Sequence, residues 1–269
     1  MLSGFRRFVC LAGLAVFGLT AARFLYPGAG ASVVLTLLPD LTPEPASAFP
    51  YADIAAERLN ARLTPEMRQN FDLFLYVSKA EHGPLAQRMM GFGKEAGETL
   101  KPVFDWAAST GREQAEVNIQ GRHVMTATPA GFYELDPSRM FRSYRSFNWD
   151  RDMPDTMFFD WTYRGRRTGL AIHAAAGDDV AKLGNRASGG CVHLSPQNAA
   201  MLYDLIRKNY RGAVPLPAYN SETGSTSNRG LFVRDAGGAL KMADGYRVLV
   251  IVEDYGGQND VTDDPARLL

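Results

Sequence analysis

The chain changes character at residue 71, where helical spacing of apolar residues gives way to short apolar or alternating runs divided by Gly, Pro and Asp. Runs of this length between turn residues are typical of β-strands. The 269 residues contain enough apolar side chains for one sizeable core, and no internal repeat or second core is visible. We therefore predict one mainly β domain over residues 71–254. The runs behind this prediction are FDLFLYVSK, AQRMMGF, PVFDWAAS, RHVMTAT, GFYEL, MFFDWTY and TGLAIHA.

A few short helices accompany the predicted strands. Residues 51–70 form a helical lead-in, because apolar residues follow helical spacing over 52–63 and Thr64, followed by Pro, is a typical N-cap. Ser195, also followed by Pro, begins a third helix in the same way. The apolar face of this third helix comprises Ala199, Leu202, Leu205 and Ile206.

The last part of the predicted domain combines a loop with a strand. Residues 212–245 are expected to be a loop insertion, and its centre at 218–230 is predicted to be flexible because it is rich in Gly, Ser, Thr and Asn. The run YRVLVIVED at 246–254 predicts a buried final strand. Residues 255–269 are expected to be a polar tail.

The N-terminus has the pattern of an export signal. Arg6 and Arg7 precede an uncharged, largely apolar segment at 8–22, which is shorter than the about 20 apolar residues of a membrane-spanning helix. We expect residues 1–31 to be a cleaved signal peptide or a retained membrane anchor, followed by a proline-rich linker at 32–50. The protein is then exported to the periplasm or cell envelope. It touches the inner membrane only if the apolar segment stays uncleaved.

Charge and cysteine content exclude two broad classes of protein. The 29 Lys and Arg residues balance the 29 Asp and Glu residues, so no basic field attracts nucleic acid and we expect no nucleic-acid partner. Only Cys10 and Cys191 occur, which is too few for a disulfide scaffold. Removal of residues 1–31 would leave Cys191 as the single cysteine.

The residues that could take part in catalysis are concentrated at 171–195. Cys191 follows a Ser-Gly-Gly segment, and His173 follows the apolar run TGLAI, so we expect it at the end of a strand. A cysteine needs a neighbouring base to ionise near neutral pH, since its free pKa is about 8.5. A backbone bare of side chains lets a substrate carbonyl approach peptide N–H groups, as an oxyanion hole requires. The pattern predicts a Cys191 nucleophile with His173 as its base.

These residues also resemble the catalytic domain of the YkuD-type L,D-transpeptidases. That family's signature is a His, an intervening loop and Ser/Thr-His-Gly-Cys followed by an apolar residue and Arg or Asn. Here His173 lies 18 positions before Cys191, within Ser-Gly-Gly-Cys-Val-His. The segments Ser-Thr-Gly-Arg-Glu at 109–113 and Thr-Pro-Ala-Gly-Phe-Tyr at 128–133 resemble two further family motifs. The resemblance covers roughly residues 71–254.

The resemblance implies an L,D-transpeptidase-like β-sandwich or barrel that works as a cysteine-dependent acyltransferase. Such a transferase serves peptidoglycan biosynthesis, cell wall organisation and cell shape. Its partners are peptidoglycan stem peptides, namely a donor tetrapeptide that loses its terminal D-alanine and an acceptor amine. Because the broken peptide bond drives the reaction, the resemblance implies no cofactor and no metal.

The resemblance also implies a role for each residue of the site. Cys191 attacks the donor carbonyl and forms an acyl-enzyme. His173 moves the protons, while the backbone carbonyl of Ala174 holds its other ring nitrogen. The amides of Gly189, Gly190 and Cys191 hold the oxyanion.

The sequence departs from the family signature at two positions. Gly189 stands where the family has His, and His193 stands where the family has Arg or Asn. These changes bear on how the loop is held and how a substrate carboxylate is bound. Arg186 and His193 are our candidates for holding the loop and binding the carboxylate, and Ser188 is a further substrate-binding candidate.

Three alternatives to cross-linking stay open. The same acyl-enzyme resolved by water would make the protein an L,D-carboxypeptidase. His173, Cys191 and His193 could instead hold a zinc ion, although their spacing matches no known zinc motif. The domain could also be a catalytically inactive wall-binding module, which the departures at 189 and 193 favour.

Overall fold

The computed structural model of the protein describes residues 49–94 and 99–254. The predicted signal or anchor at 1–31, nearly all of the linker at 32–50 and the polar tail at 255–269 lie outside the described residues. No helix within the described residues is long and apolar enough to cross a membrane.

The described chain is mainly β with a few short helices, as the sequence predicts. The helices are α1 (Ala52–Arg62), α2 (Pro65–Asn70) and α3 (Pro196–Asn209), with a 3-10 helix at Gly177–Lys182. The strands before the middle of the chain are β1 (Leu73–Ser78), β2 (Arg88–Lys94), β3 (Leu100–Ala107), β4 (Ala115–Val117), β5 (His123–Met125), β6 (Gly131–Tyr133) and β7 (Leu135–Phe141). The next are β8 (Arg145–Ser146), β9 (Arg151–Asp152), β10 (Thr156–Phe159), β11 (Thr162–Tyr163), β12 (Arg166–Arg167), β13 (Ala171–Ala174) and β14 (Val192–Leu194). The last are β15 (Arg211–Pro215), β16 (Tyr219–Asn220), β17 (Ser225–Thr226), β18 (Met242–Tyr246) and β19 (Val248–Glu253).

The larger sheet has five strands in the order β3-β2-β1-β19-β6. Strands β1 and β19 run parallel, and the other neighbours are antiparallel. All six residues of β1 are buried, because both faces of the sheet are covered. Its alternate side chains contribute to two different apolar clusters.

The smaller sheet has four strands in the order β14-β13-β10-β7. Strand β13 pairs in parallel with β14, so that His173 lies opposite His193, and pairs antiparallel with β10. His173 therefore lies inside an interior strand of the sheet. The expectation that it ends its strand was wrong by one residue, because Ala174 continues the pairing with Leu194.

The main core lies between the two sheets. It takes Leu75 and Val250 from the larger sheet and Ile172 and Val192 from the smaller one, all with no exposed surface. Helix α3 adds its apolar face to the same cluster. The residues predicted for that face, Ala199, Leu202, Leu205 and Ile206, are all buried, which confirms the prediction.

Helices α1 and α2 cover the outer face of the larger sheet. Leu59 of α1 and Met67 of α2 pack with Phe74 and Phe92 in a second apolar cluster. Helix α2 begins as predicted, since the Oγ1 of Thr64 accepts the N–H of Met67 at 3.2 Å.

The insertion at 212–245 has more order than its composition predicts. It contains the β15–β18 pair and the β16–β17 hairpin. Asn228 fastens it to β6, because its carbonyl accepts the N–H of Phe132 at 2.8 Å and its side chain donates to the carbonyl of Ala130 at 3.0 Å. Glycine is required at 131, since a Cβ there would lie 2.6 Å from the Asn228 carbonyl oxygen.

Candidate active site

The candidate catalytic residues lie on the outer face of the smaller sheet. Alternation along β13 sends Ile172 into the main core and turns Ala171 and His173 to the opposite side. Cys191 immediately precedes β14 and packs against a small apolar cluster on that same side. The cluster consists of Met153, Phe158 and Ala171.

His173 is held in one tautomer by the backbone. Its Nδ1 lies 2.8 Å from the carbonyl oxygen of Ala174, so Nδ1 carries the proton and donates it to this bond. The other ring nitrogen, Nε2, is left with a lone pair. Burial, and then the nearby His193, lower the pKa of His173 to about 3. The ring is therefore neutral at physiological pH and able to accept a proton.

Cys191 carries a protonated thiol in this arrangement. Burial raises its pKa to about 11, against an opposing hydrogen bond from the backbone of Ala171. Its Sγ donates to the carbonyl of Gly169 at 3.4 Å, and no hydrogen bond of the described residues joins it to His173. A transfer of the thiol proton to His173 would therefore require the Cys191 side chain to rotate away from Gly169.

Ser188 holds the turn that presents Cys191. Its Oγ donates to the carbonyl of Cys191 at 2.5 Å and accepts the N–H of Gly190 at 3.0 Å. Ser188 is buried and satisfied within the turn, so the structure gives it a role in loop geometry where the sequence suggested substrate binding. The N–H of Gly190 is likewise already used, so of the three amides predicted to hold an oxyanion only those of Gly189 and Cys191 remain as candidates.

The two glycines before Cys191 are required for different reasons. Gly190 has a φ of +121°, a conformation that side chains disfavour, and a Cβ there would lie 2.9 Å from the carbonyl of Ala127. Gly189 lies outside the left-handed region, and its limit is a neighbouring side chain. A Cβ at 189 would lie 2.9 Å from Cε2 and Nε1 of Trp149.

The segments that resemble family motifs surround the cysteine turn. Ser109 and His193 exchange backbone hydrogen bonds at 3.0 and 2.8 Å. Thr128 donates from Oγ1 to the carbonyl of Gly190 at 2.7 Å and accepts the N–H of Gly111 at 2.8 Å. The motifs at 109–113 and 128–133 therefore contribute main-chain and hydroxyl contacts that fix the turn.

Arg186 is not placed to bind a substrate carboxylate. Its guanidinium donates to the carbonyl of Lys79 at 2.8 Å and to the carboxylate of Asp254 at 3.0 Å, next to the ends of β1 and β19. The sequence prediction rested on its nearness to the Gly-rich turn along the chain, and the side chain turns to the larger sheet instead.

Arg112 is the arginine that contacts the cysteine turn. It forms a two-pronged ion pair with Glu116 at 2.5 and 2.6 Å and donates to the carbonyl of Ala187 at 2.7 Å. Its backbone N–H also donates to the carbonyl of Ser188 at 3.1 Å. Arg112 belongs to the Ser-Thr-Gly-Arg-Glu segment at 109–113, but its sequence context alone predicts no role for it.

His193 packs directly against the candidate base. The ring centroids of His173 and His193 are 4.5 Å apart. Burial lowers the pKa of His193 to about 4, although the nearby Asp179 opposes the shift. Its Nδ1 is buried without a hydrogen-bond partner. The ring is therefore a neutral neighbour of His173, and nothing in its contacts singles out a carboxylate.

A loop at 142–155, here called the cover loop, lies over this face of the sheet. Tyr144 makes an edge contact with Phe158, with ring centroids 5.1 Å apart. Pro154 accepts the N–H of Ala174 at 2.9 Å. Near the tip of the loop, Trp149 covers Gly189. Sequence reasoning missed Trp149 because a short polar loop has no periodicity that marks a covering side chain.

The described residues contain no group of three or more His, Cys, Asp or Glu side chains arranged to hold a metal ion. Within the part of the chain that the structure describes, His173, Cys191 and His193 therefore do not form the three-ligand group that the zinc hypothesis requires. The zinc hypothesis therefore receives no support.

The fold and the site together define a two-sheet β domain that carries a histidine on β13 and a cysteine immediately before the adjoining strand β14. The chain belongs to the L,D-transpeptidase catalytic domain family, YkuD, whose sequence profile matches residues 76–226, more than half of the chain. Proteins with this domain are typically cysteine-dependent transpeptidases of the cell envelope that act on peptidoglycan peptides.

Several solved structures are similar to this chain. An L,D-transpeptidase from Xylanimonas cellulosilytica is 18% identical, with 73% of this chain and 68% of that chain covered and a TM-score of 0.39. An L,D-transpeptidase from Mycobacterium smegmatis is 13% identical, with 68% and 59% covered and a TM-score of 0.38. The helical cell shape determining protein Pgp2 from Campylobacter jejuni is 15% identical, with 69% and 48% covered and a TM-score of 0.36. No curated protein matches the chain by sequence.

Proposed function

We propose that this protein is a peptidoglycan L,D-transpeptidase that forms cross-links through an acyl-enzyme on Cys191. The observation that carries the proposal is the anchoring of His173, whose Nδ1–H is taken by the carbonyl of Ala174 at 2.8 Å. This bond leaves Nε2 as a base on the face of the sheet that also carries Cys191.

The proposed reaction has two acyl-transfer steps. In the first, the thiol proton passes to Nε2 of His173 as Sγ attacks the carbonyl of the third residue of a donor tetrapeptide. The bond to the terminal D-alanine breaks, and its amine leaves with the proton from His173. In the second, an acceptor amine gives a proton to His173, attacks the thioester and restores the thiol on Cys191.

The resting site keeps both partners neutral. Because burial raises the pKa of Cys191 to about 11 and lowers the pKa of His173 to about 3, a resting thiolate–imidazolium pair is strongly disfavoured. We infer that proton transfer accompanies attack on the bound carbonyl. The amides of Gly189 and Cys191 then stabilise the oxyanion, and one such donor contributes about 3 to 4 kcal/mol to the transition state.

Mass spectrometry of the products tests this function. The described domain is mixed with purified tetrapeptide muropeptides, beside Cys191→Ala and His173→Ala. His123→Ala, an exposed histidine on β5, is the matched control for the loss of a histidine. We expect a cross-linked dimer with loss of D-alanine from the wild type and from His123→Ala only.

The other outcomes would replace the proposal. Release of D-alanine without a dimer would make the protein an L,D-carboxypeptidase. The absence of any product, from protein shown to be folded, would favour the inactive wall-binding module.

We also propose that residues 1–31 direct export and that the linker at 32–50 leads to the catalytic domain at 71–254. N-terminal sequencing of the protein recovered from the cell envelope tests this arrangement. A chain that starts near residue 32 would be a cleaved periplasmic protein, whereas a chain that starts at Met1 in the membrane fraction would be anchored by 8–22. Recovery of the full chain from the cytoplasm would contradict export.

A further inference from the structure

Gly189 and Trp149 form a complementary pair next to the candidate nucleophile. The indole lies so close to the backbone of Gly189 that a Cβ would lie 2.9 Å from two of its ring atoms. Real Cβ atoms do not approach heavy atoms to this distance, so any other residue at 189 must displace the indole. The backbone of Gly189 does not itself require glycine, because its φ lies outside the left-handed region. A side chain at position 189 and the indole in its present place therefore exclude each other.

Several contacts hold the indole in this place. The guanidinium of Arg112 lies 5.8 Å from the ring centroid of Trp149. Arg112 is itself fixed by Glu116 and by the carbonyl of Ala187, which belongs to the segment leading to the cysteine turn. The backbone N–H of Trp149 donates to the Oγ of Ser146 at 3.3 Å. Trp149 is thus fastened to the turn through Arg112 and to the cover loop through its own backbone.

The tip of the cover loop is tied to a second hairpin. Gln120, between β4 and β5, donates from Nε2 to the carbonyl of Phe147 at 2.7 Å. Arg145 pairs with Asp150 at 2.8 Å and with Asp152 at 2.6 Å across the base of the tip. These bonds are largely exposed, so they position the loop without locking it.

We propose that Trp149 is a residue that positions the acyl donor at the acyl-transfer site. Its indole replaces the missing side chain at 189 and forms one wall of the space in which the acyl donor lies over the turn that presents Cys191. A flat, half-buried indole offers a peptide donor a large contact area with few rotatable bonds. This inference rests on the proposed function, because it assigns the donor's position in that reaction.

The pair predicts non-additive effects of substitution. Trp149→Ala removes the wall and should raise the donor KM about tenfold with little change in kcat. Gly189→Ala should have a similar effect, because the new methyl group pushes the indole out of place. In the Trp149→Ala background, Gly189→Ala should change KM less than twofold, since no indole is left to displace. Trp149→Phe should restore most of the affinity.

A double-mutant cycle tests the proposal. Its four proteins are the wild type, Trp149→Ala, Gly189→Ala and the double variant. Donor KM and kcat are measured for each, together with the rate at which iodoacetamide alkylates Cys191 and the melting temperature. Phe147→Ala is the control, because this side chain is 75% exposed on the same loop. We expect the control to match wild type and Trp149→Ala to be alkylated several times faster.

The outcomes distinguish a failure of the role of Trp149 from a failure of the proposed function. Additive single effects on KM and on alkylation would overturn the role of Trp149, as would losses of kcat and melting temperature with KM unchanged. If the wild type forms no product, the proposed function fails. The alkylation rates of Cys191 then still test whether Trp149 shields the thiol by packing on Gly189. Independent effects of the two substitutions on those rates would show that the indole does not form a wall of the site.

Discussion

The two sheets share one core but differ in what covers their other faces. The outer face of the larger sheet is sealed by α1 and α2 over an apolar cluster that includes Phe74 and Phe92. The outer face of the smaller sheet carries His173, His193 and Cys191, with only a small apolar cluster and the cover loop above them. One sheet is therefore closed by helices and the other by a loop with an aromatic tip.

This difference shows where the fold accepts destabilising groups. The smaller sheet carries two buried, neutral histidines and a partly buried, neutral thiol, each with a pKa shifted by desolvation against its charged form. Shifts of this kind concentrate at functional sites, because chemistry needs such groups away from bulk water.

The largest expected difference between the faces is in activity. His173→Ala should lower kcat/KM at least 10²-fold and up to about 10⁴-fold, because it removes the proton acceptor of the reaction. The melting temperature should change little, since the variant removes a buried polar ring from an otherwise intact strand. Steady-state kinetics and thermal unfolding of the same preparation check both parts. Wild-type activity in His173→Ala would assign the base elsewhere.

Truncation of a side chain on the helix-covered face of the larger sheet should lower stability and leave activity unchanged. Phe92 has no exposed surface and packs in the cluster beneath the helices. Phe92→Ala should reduce the free energy of unfolding by about 3 to 5 kcal/mol, through lost burial and the cavity left behind. Below its melting transition the variant should keep the wild-type donor KM. Urea unfolding measures the first effect, and a large loss of activity in folded Phe92→Ala would show that the faces are not independent.

A smaller difference between the two outer faces should be visible in the pH dependence of the free energy of unfolding. The pKa of His173 is lowered to about 3 and that of His193 to about 4, whereas both take up protons near pH 6.5 in the unfolded chain. The unfolded state then binds more protons between pH 6.5 and 4, so stability falls as pH decreases through this window. Each histidine should contribute at most about 1.4 kcal/mol per pH unit.

His193→Asn isolates that contribution, because Asn cannot titrate and is a residue that the family signature accepts at this position. Asp179, Arg112 and Lys182 are the charged groups near His193, and they remain in the variant. Urea unfolding at pH 4.5 and 6.5 should show a smaller loss of stability for His193→Asn than for wild type. Equal losses in the two proteins would mean that His193 is protonated in the folded state.

The sequence predicted the parts of the molecule that local patterns specify. Alternating runs located the buried strands, and Ser or Thr before Pro located the starts of α2 and α3. Strand β7 escaped the prediction, because Asp136 and Pro137 interrupt its apolar pattern. Asp136 is accommodated there by an ion pair with Arg139 at 2.6 Å, which no local pattern reveals.

The candidate site also contains residues that the sequence predicts and residues that only the fold reveals. Cys191 and His173 could be named from the sequence because their chemistry is specific to their residue types. The partners of Ser188, Arg186 and Arg112 could not, since each depends on which segments meet across the fold. Trp149 lies 40 positions before Gly189 along the chain, and only the folded cover loop brings the two together.

The measurement that tests the central claim most directly is the intact mass of the protein after brief mixing with the donor tetrapeptide. We predict an added mass equal to the donor without its D-alanine, located on Cys191 and absent from Cys191→Ala. The adduct should form far more slowly in His173→Ala. An adduct on another residue of the folded wild-type protein, or a Cys191→Ala variant that consumes donor as fast as wild type, would contradict the account.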